Sequence, residues 1–216
     1  LMQIIEQDFL WTYEEALSYM AESFTAVKSN PEIIFIASGS HTEKIITLGK
    51  NPQKNVLGFV PNNILVRQIE RGGGITAHEP GQIVLYPVLN IDHFKISAAE
   101  LMAIGERSIV AFLNHLGLEV KTSQGVYFNG QKLGFLGFRI KEGITSHGIS
   151  LNLFNDAKIF SLFDPCGMKG LPVTSVGFHL QLFGDINFYA SRLRRYFISE
   201  LNRFCGRADS KHFDII

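Results

Sequence analysis

The stretch Arg71-Gly72-Gly73-Gly74-Ile75-Thr76-Ala77-His78-Glu79-Pro80-Gly81-Gln82 follows a predicted strand and contains three consecutive glycines. Such a run forgoes side-chain packing and costs conformational entropy, which a chain tolerates where the backbone turns sharply or touches a ligand. It is not a P-loop, because no Gly-Lys-Ser/Thr follows, and it lacks the dinucleotide-binding fingerprint. An ordinary flexible turn and a ligand-binding backbone are both consistent with it, and the polar side chains of Thr76 and His78 favour the second.

Secondary-structure patterns on both sides of this run predict an α+β fold, with a mixed β-sheet packed by helices. Capping boxes at Thr12–Glu15 and Ser97–Glu100 begin two amphipathic helices, and a third is predicted at about 186–204. We expect a single domain over residues 1–216. Short β-branched runs between turn residues predict strands at 32–37, 44–48, 63–69, 82–88, 125–128, 131–140 and 145–153.

Composition narrows the classes of function. Of the 216 residues, 46% are hydrophobic, and 20 Lys and Arg balance 20 Asp and Glu, so no global field recruits nucleic acid or a membrane surface. The apolar runs are too short to span a membrane, and the first residues lack the basic flank of a secretory signal. Two cysteines, Cys166 and Cys205, fit a reducing cytosol, so we expect a cytoplasmic protein. The seven histidines lack close ligand spacing, and we expect no metal site.

Cys166 and Lys132 together supply a nucleophile and an activator for acyl transfer. An isolated cysteine is commonly an inert buried thiol, but the turn Asp164-Pro165-Cys166-Gly167 favours an exposed sulfur beside backbone N–H groups. Lys132 follows a type I′ hairpin predicted at Asn129-Gly130, where it is either a solvated strand residue or an ammonium over an apolar cavity. Close to a thiol, such an amine favours the thiolate and exchanges protons.

Five segments, in this order, resemble the octanoyl-acyl-carrier-protein:protein octanoyltransferases of lipoate biosynthesis, which share a fold with lipoate and biotin protein ligases. The resemblance covers about 13–177. The segments are Arg71–His78, Pro80-Gly81-Gln82 with Tyr86-Pro87, Gly125-Val126-Tyr127 leading to Lys132, His147–Asn152, and Pro165-Cys166-Gly167.

The resemblance implies that Cys166 takes an octanoyl group from acyl carrier protein as a thioester, with Lys132 as its partner, and passes it to a lysine. The implied acceptors are lipoyl domains of 2-oxoacid dehydrogenase complexes and the H protein of glycine cleavage. No cofactor is implied, because thioester exchange is nearly isoenergetic. The implied substrate-binding residues are Arg71, Gly72, Gly73, Gly74, Ile75, Thr76, Ala77, His78, Phe135, Leu136, Gly137, Gly148, Ile149 and Ser150.

Three positions depart from the residue that is usual in this family. Glu79 stands in place of glycine, Ala77 in place of an aromatic residue and Ser150 in place of alanine. These departures concern the detailed shape of the acyl pocket and leave the cysteine and lysine pair unaffected. His147, beside Gly148, is either a strand histidine with one satisfied hydrogen bond or part of the site.

Two other functions stay open at this point. An ATP-dependent lipoate or biotin protein ligase shares the glycine-rich strand and the lysine but needs no cysteine nucleophile, so Cys166 favours the transferase. A non-catalytic module that binds acyl groups or lipoyl domains would use the same pocket. Arg192-Leu193-Arg194-Arg195 is the densest basic cluster, and it is either a solvated helix face or a docking patch for an acidic carrier protein.

Overall fold

Helices and strands alternate in groups along the chain. The structure, a computed structural model, describes residues 2–50, 57–164 and 169–206. The helices are α1 (Tyr13–Ser29), α2 (Ala98–His115) and α3 (Ile186–Cys205). The strands are β1 (Gln3–Trp11), β2 (Ile33–His41), β3 (Ile45–Leu48), β4 (Leu65–Gln68), β5 (Ile75–His78), β6 (Gln82–Val88), β7 (Lys121–Thr122), β8 (Val126–Phe128), β9 (Gln131–Lys141) and β10 (Ile144–Asn152).

The strands form two sheets. The larger sheet has the order β1-β2-β6-β10-β9-β8-β7, in which β1 runs parallel to β2 and all other neighbours are antiparallel. The smaller sheet has the order β4-β3-β5, with β3 parallel to β4 and antiparallel to β5. Mixed sheets packed by helices confirm the predicted α+β fold.

Strand β6 shows how the helices cover both faces of the larger sheet. All of its residues are buried. Ile83 and Leu85 belong to the core cluster that includes α2 and α3, whereas Val84 and Tyr86 belong to the cluster that includes α1. Successive side chains of a strand point to opposite faces, so β6 separates two apolar layers and reads as a continuous apolar run.

The local signals read from the sequence are confirmed. Both predicted capping boxes are formed: the Thr12 hydroxyl accepts from the Glu15 N–H at the start of α1, and Ser97 and Glu100 make the same exchange at α2. The hairpin between β8 and β9 has positive φ at both turn residues, 48° at Asn129 and 78° at Gly130. This is the backbone that a two-residue type I′ turn requires.

Three strands were missing from the sequence prediction: β1, β5 and the two-residue β7. Strand β1 lies at the edge of the larger sheet with most of its side chains exposed, so the buried and exposed alternation that reveals a strand is absent there. Strand β5 has four residues and directly follows the glycines. Because glycine is unfavourable in strands, the sequence there does not have the pattern of a strand. Strand β2 also continues to His41, beyond the predicted end at residue 37.

Arg194 is buried, so the prediction that it belongs to a basic cluster on the surface of α3 is wrong. Its Nε donates to Glu6 at 2.6 Å, and its Nη1 donates to Asp8 at 2.6 Å and to the Ser38 hydroxyl at 2.9 Å. Arg194 therefore ties α3 to β1 and β2, and it does not contribute to a basic surface. Arg195 is exposed.

We expect Arg194→Ala to lower the free energy of unfolding by about 2–3 kcal/mol, because hydrogen bonds to charged groups contribute about 1.5–3 kcal/mol each and Glu6 and Asp8 are half exposed. Arg195→Ala is the matched control and should leave stability within about 0.5 kcal/mol of the parent. Urea unfolding measures both. Equal, small losses in the two variants would show that the buried guanidinium does not anchor β1.

Within residues 2–50, 57–164 and 169–206, no helix is sufficiently long and apolar to cross a membrane. In the same ranges, no three side chains of His, Cys, Asp or Glu converge in a way that could hold a metal ion.

Candidate active site

A cavity lies between β5 of the smaller sheet and strands β9 and β10 of the larger sheet. It encloses about 600 Å³ of empty space, part of it open to solvent. It is lined by Arg71, Gly72, Gly73, Gly74, Ile75, Thr76, His78, Val84, Tyr86, Gln124, Lys132, Phe135, Leu136, Gly137, His147, Gly148, Ile149 and Ser150. Of the predicted substrate-binding residues, Ala77 alone does not line this cavity. Their role as binding residues stays a prediction.

Arg71 holds the glycine run as one wall of the cavity. Its Nη2 donates to the carbonyl oxygen of Thr47 at 2.9 Å and to the Thr47 hydroxyl at 3.0 Å, and its Nη1 donates to the carbonyl oxygen of Gly72 at 2.9 Å. The Gly72 N–H donates to the carbonyl oxygen of Phe138 at 3.2 Å and so joins the run to β9. The glycines are thus attached to both sheets, which a freely flexible turn would not be.

Lys132 is buried at the other side of the cavity, with 1% of its surface exposed. Its Nζ donates to the carbonyl oxygen of Gln124 at 3.0 Å. The same nitrogen lies 5.3 Å from the ring centroid of Tyr127 and 5.1 Å from that of Phe135, within the range of a cation–π contact. The structure therefore excludes the interpretation of Lys132 as a solvated strand residue.

The backbone around Lys132 explains how an ammonium is accommodated there. Gly125 has a φ of 139°, and a Cβ at that position would lie 2.6 Å from Lys132 Cε and 2.8 Å from Nζ. Glycine is thus required for the lysine side chain to pass. The Lys132 N–H donates to the carbonyl oxygen of Pro172 at 2.8 Å, and the Thr174 N–H donates to the carbonyl oxygen of Lys132 at 3.0 Å.

Cys166, with its neighbours Pro165 and Gly167, lies outside the described residues, so its pairing with Lys132 stays a prediction. The described residues that flank this gap contact each other, and the chain that follows them leads to Lys132. The Gly170 N–H approaches the Asp164 carboxylate at 3.4 Å, and a few residues later the chain reaches the backbone of Lys132.

Three histidines are buried at or beside the cavity. His41 Nε2 lies 2.8 Å from the Tyr86 hydroxyl, and the rings of His41 and His78 are 5.3 Å apart. Burial lowers the pKa of His41 to about 4 and that of His147 to about 3, where the Arg71 guanidinium adds to the effect. Burial also holds the pKa of His78 well below its ordinary range. These imidazoles are therefore neutral at pH 7.

We expect the free energy of unfolding to fall as the pH drops below 6.5, the ordinary pKa of histidine. Above that pH the imidazoles are neutral in both states and contribute nothing to the pH dependence. Below it the unfolded chain takes up protons that the folded chain refuses, which costs about 1.4 kcal/mol per pH unit for each histidine once it is fully protonated in the unfolded state. For His41 this loss continues to about pH 4, and for His147 to about pH 3.

Urea unfolding between pH 7 and pH 5 measures this loss above the range in which most carboxyl groups titrate. His93 is exposed, so His93→Gln is the control and should keep the pH dependence of the parent. A free energy of unfolding that stays constant from pH 7 to pH 5 would contradict the assignment of neutral buried imidazoles.

The three family departures fall in different places. Glu79 is buried away from the cavity, and its Oε1 accepts from Asn155 Nδ2 at 2.9 Å and from the Ala157 N–H at 3.1 Å. It thus holds the loop that follows β10. Ala77 is fully buried in the core of the smaller sheet, and Ser150 lines the cavity.

Sequence reasoning missed some of the lining. Val84 and Gln124 were not singled out, Tyr86 was noted without a binding role, and His147 was left open between a strand histidine and part of the site. Gln124 has a φ of 53°, directly before the unusual backbone of Gly125. A polar residue directly before a glycine was its one available signal. The Thr76 hydroxyl is buried with no hydrogen-bond partner among residues 2–50, 57–164 and 169–206, so the cavity wall contains an unused polar atom.

In fold, the chain is similar to solved enzymes that attach lipoate or biotin to proteins. One is a bi-partite lipoate protein ligase of Thermoplasma acidophilum, studied with its E2 lipoyl domain, at 14% identity and a TM-score of 0.64 over 94% of this chain and 84% of that one. Another is the biotin protein ligase of Aquifex aeolicus in complex with biotin and ATP, at 11% identity and a TM-score of 0.54 over 96% of this chain and 73% of that one. These likenesses concern the fold alone.

The family model of the lipoyl protein ligase A/B catalytic domain matches residues 12–197, and the chain belongs to this family. Octanoyltransferases, which are acyltransferases, are among its curated relatives. That of Buchnera aphidicola is 38% identical over 61% of this chain and 64% of its own length. That of Pseudomonas aeruginosa is 35% identical over 70% of this chain and 69% of its own length. The chain thus spans about two thirds of these relatives.

Proposed function

We propose that this protein transfers an octanoyl group from octanoyl-acyl carrier protein to a lysine of a lipoyl domain, through a thioester on Cys166. The acceptors are the lipoyl domains of 2-oxoacid dehydrogenase complexes and the H protein of glycine cleavage. This is the first step of lipoate biosynthesis. The octanoyltransferases among its relatives and the geometry of the cavity support the proposal.

The observation that carries the proposal is the buried side chain of Lys132 at the wall of a cavity that is lined in part by glycine backbone. Three glycines leave room for a chain of methylenes against Ile75, Phe135 and Leu136. The Lys132 side chain has 1% exposure, and a cation there would stabilise a thiolate beside it. The same amine, once deprotonated, takes a proton from an attacking lysine.

The first half of the reaction exchanges one thioester for another. The Cys166 thiolate attacks the carbonyl carbon of the octanoyl thioester; the new carbon–sulfur bond forms and the bond to the carrier's sulfur breaks. The Lys132 ammonium gives its proton to the leaving carrier, which departs as a thiol, and Lys132 is left as a neutral amine. In the second half the acceptor amine attacks the acyl-enzyme, a carbon–nitrogen bond forms, and Cys166 leaves as thiolate while Lys132 takes the amine's proton. Thioester exchange is nearly isoenergetic and amide formation is downhill, so the balance needs no ATP.

Mass spectrometry of the intact protein tests the proposal. After mixing with octanoyl-acyl carrier protein and without ATP, the protein should gain the mass of one octanoyl group, and added apo lipoyl domain should remove it. Cys205→Ala should behave like the parent, because burial raises the pKa of the Cys205 thiol and keeps it protonated. Modification of a lipoyl domain that requires ATP and free octanoate, with no enzyme adduct, would instead establish a ligase.

A further inference from the structure

The turn that joins β5 to β6 brings Gln82 beside His78. Pro80 and Gly81 are its two central residues, and Gly81 has a φ of 89°. The Gln82 N–H donates to the carbonyl oxygen of Glu79 at 3.1 Å. Proline followed by glycine at positive φ is typical of a type II turn. His78 Nδ1 lies 2.7 Å from Gln82 Oε1, and the Gln82 side chain is fully buried, so the two side chains form a fixed pair.

The orientation of the Gln82 amide is fixed by groups that can only accept hydrogen bonds. Asn152 Nδ2 donates to the carbonyl oxygen of Thr174 at 3.0 Å, so Asn152 Oδ1 is turned toward Gln82. Gln82 Nε2 donates to that oxygen at 2.9 Å and to the carbonyl oxygen of Ala77 at 3.4 Å. Because such partners distinguish the nitrogen of an amide from its oxygen, Oε1 is the atom of Gln82 that faces His78.

Asn152 is itself held from two further sides. Asn155 Nδ2 donates to Asn152 Oδ1 at 3.1 Å and to Glu79 Oε1 at 2.9 Å. Thr174, whose carbonyl oxygen accepts from Asn152, donates its N–H to the carbonyl oxygen of Lys132 at 3.0 Å. The Asn152 side chain is fully buried. This network of hydrogen bonds therefore connects the β5 wall of the cavity to the strand that carries Lys132.

The consequence for His78 is a single tautomer. Since Gln82 Oε1 can only accept, His78 Nδ1 carries the proton and Nε2 keeps its lone pair. The ring is neutral at pH 7 because burial lowers the pKa of His78. His78 lines the cavity and Gln82 does not, so Nε2 is the ring nitrogen available to a ligand. The imidazole thus offers a hydrogen-bond acceptor to the cavity.

We propose that Gln82 is a positioning residue that holds His78 Nε2 as the hydrogen-bond acceptor for the amine of the acceptor lysine. The inference rests on the proposed acyl transfer and deepens it. An octanoyl chain and its thioester contain no N–H or O–H donor, whereas the neutral attacking amine has two N–H bonds. Lys132 takes one of these protons, and the N–H that stays in the product amide donates to Nε2. This hydrogen bond directs the lone pair of the amine toward the thioester carbon.

Gln82→Met tests the inference, because it removes the accepting oxygen with little change in length and leaves Asn152 Oδ1 its bond from Asn155. Transfer from the acylated enzyme to apo lipoyl domain should slow about tenfold, the equivalent of one lost hydrogen bond. Acylation by octanoyl-acyl carrier protein should stay within about twofold of the parent. Gln3→Met is the control, since Gln3 is exposed in β1, and both of its rates should match those of the parent.

A double-variant cycle distinguishes positioning from a structural role. If Gln82 acts through His78, Gln82→Met should add nothing to the loss of the second half-reaction in His78→Ala, whereas an independent defect would add its own loss. Gln82→Glu is the conservative variant. A buried carboxyl group keeps its proton, so its carbonyl oxygen accepts from His78 and its hydroxyl donates to Asn152. Gln82→Glu should therefore recover most of the second half-reaction that Gln82→Met loses.

Nitrogen-15 NMR of the histidine-labelled protein reads the tautomer without any transfer. In the parent, His78 should have a protonated Nδ1 and an unprotonated Nε2, and His78→Ala identifies its signals. In Gln82→Met this preference should be lost. His41 is the internal control, because its Nδ1 lies 3.1 Å from the carbonyl oxygen of Trp11 and its signals should not change. If the parent forms no octanoyl adduct but shows these tautomers, the proposed function fails and the positioning of His78 by Gln82 stands.

Three results would overturn the inference. The first is an Nε2–H tautomer of His78 in the parent, a spectrum that suffices even where Gln82→Met does not fold. The second is equal slowing of both half-reactions in folded Gln82→Met, and the third is a double variant in which the two losses add.

Discussion

Replacing Cys166 by alanine is expected to abolish both the octanoyl adduct and the transfer to a lipoyl domain. The physical reason is that the thiolate is the nucleophile, and alanine offers no atom on which the acyl group can rest between donor and acceptor. Cys166 is the one cysteine of the chain besides Cys205, so the comparison needs two variants. Initial rates with octanoyl-acyl carrier protein and apo lipoyl domain measure the effect.

Cys205→Ala is the matched control, since it removes a half-buried thiol near the end of α3 and should retain the parent's rate. Thermal unfolding of both variants establishes that they are folded. Full transfer by Cys166→Ala would eliminate the covalent route and leave direct transfer between the two protein substrates.

Replacing Lys132 by methionine is expected to slow overall transfer by about 10²–10⁴, the usual contribution of general acid–base catalysis. Methionine has nearly the same length and volume, and it fits the space that Gly125 leaves, where a guanidinium would crowd the backbone. The free energy of unfolding should change by no more than about 1–2 kcal/mol, because the lost hydrogen bond to Gln124 is offset by the lost cost of burying a charge.

The two half-reactions should be measured separately. Acylation slows because the thiolate loses its cation, and deacylation slows because the attacking amine loses its base. Lys141→Met is the control, since Lys141 ends the same strand but is exposed. An unimpaired second half-reaction in Lys132→Met would rule out Lys132 as the base.

Features that depend on neighbours in sequence could be predicted. The capping boxes at Thr12 and Ser97 and the hairpin at Asn129-Gly130 are stabilised within a few residues, so local chemistry suffices to place them. Strand β6 is buried on both faces, so it can be recognised in the sequence as an apolar run. Strand β1 does not, because an exposed edge strand is held by pairing with β2 and by a distant arginine.

The site divides in the same way. The glycine run and Lys132 stand out by residue type, and the fold brings them to one cavity. The close approach of Gly105 in α2 to Leu136 and Ile149 is a contact between a helix and two strands, which no spacing in the sequence reveals. The burial of Glu79 likewise depends on Asn155 and Ala157, which lie far along the chain. These partners explain a charged residue at a position where the family usually has glycine, and the sequence alone does not reveal them.

The hydrogen bonds from Arg194 to Glu6 and Asp8 have a consequence for folding of the chain during its synthesis. The hydrogen bond between Arg194 and Glu6 joins residues 188 positions apart, so β1 leaves the ribosome long before α3, the helix that secures it. Closing so long a loop carries an entropic cost that local contacts do not, and such high contact order slows folding. A nascent chain without α3 would present the edge of β1 to other chains, where the exposed carboxylates of Glu6 and Asp8 would oppose pairing. The carboxylates of Glu6 and Asp8 thus bind Arg194 in the folded protein, and during synthesis they oppose pairing of β1 with other chains.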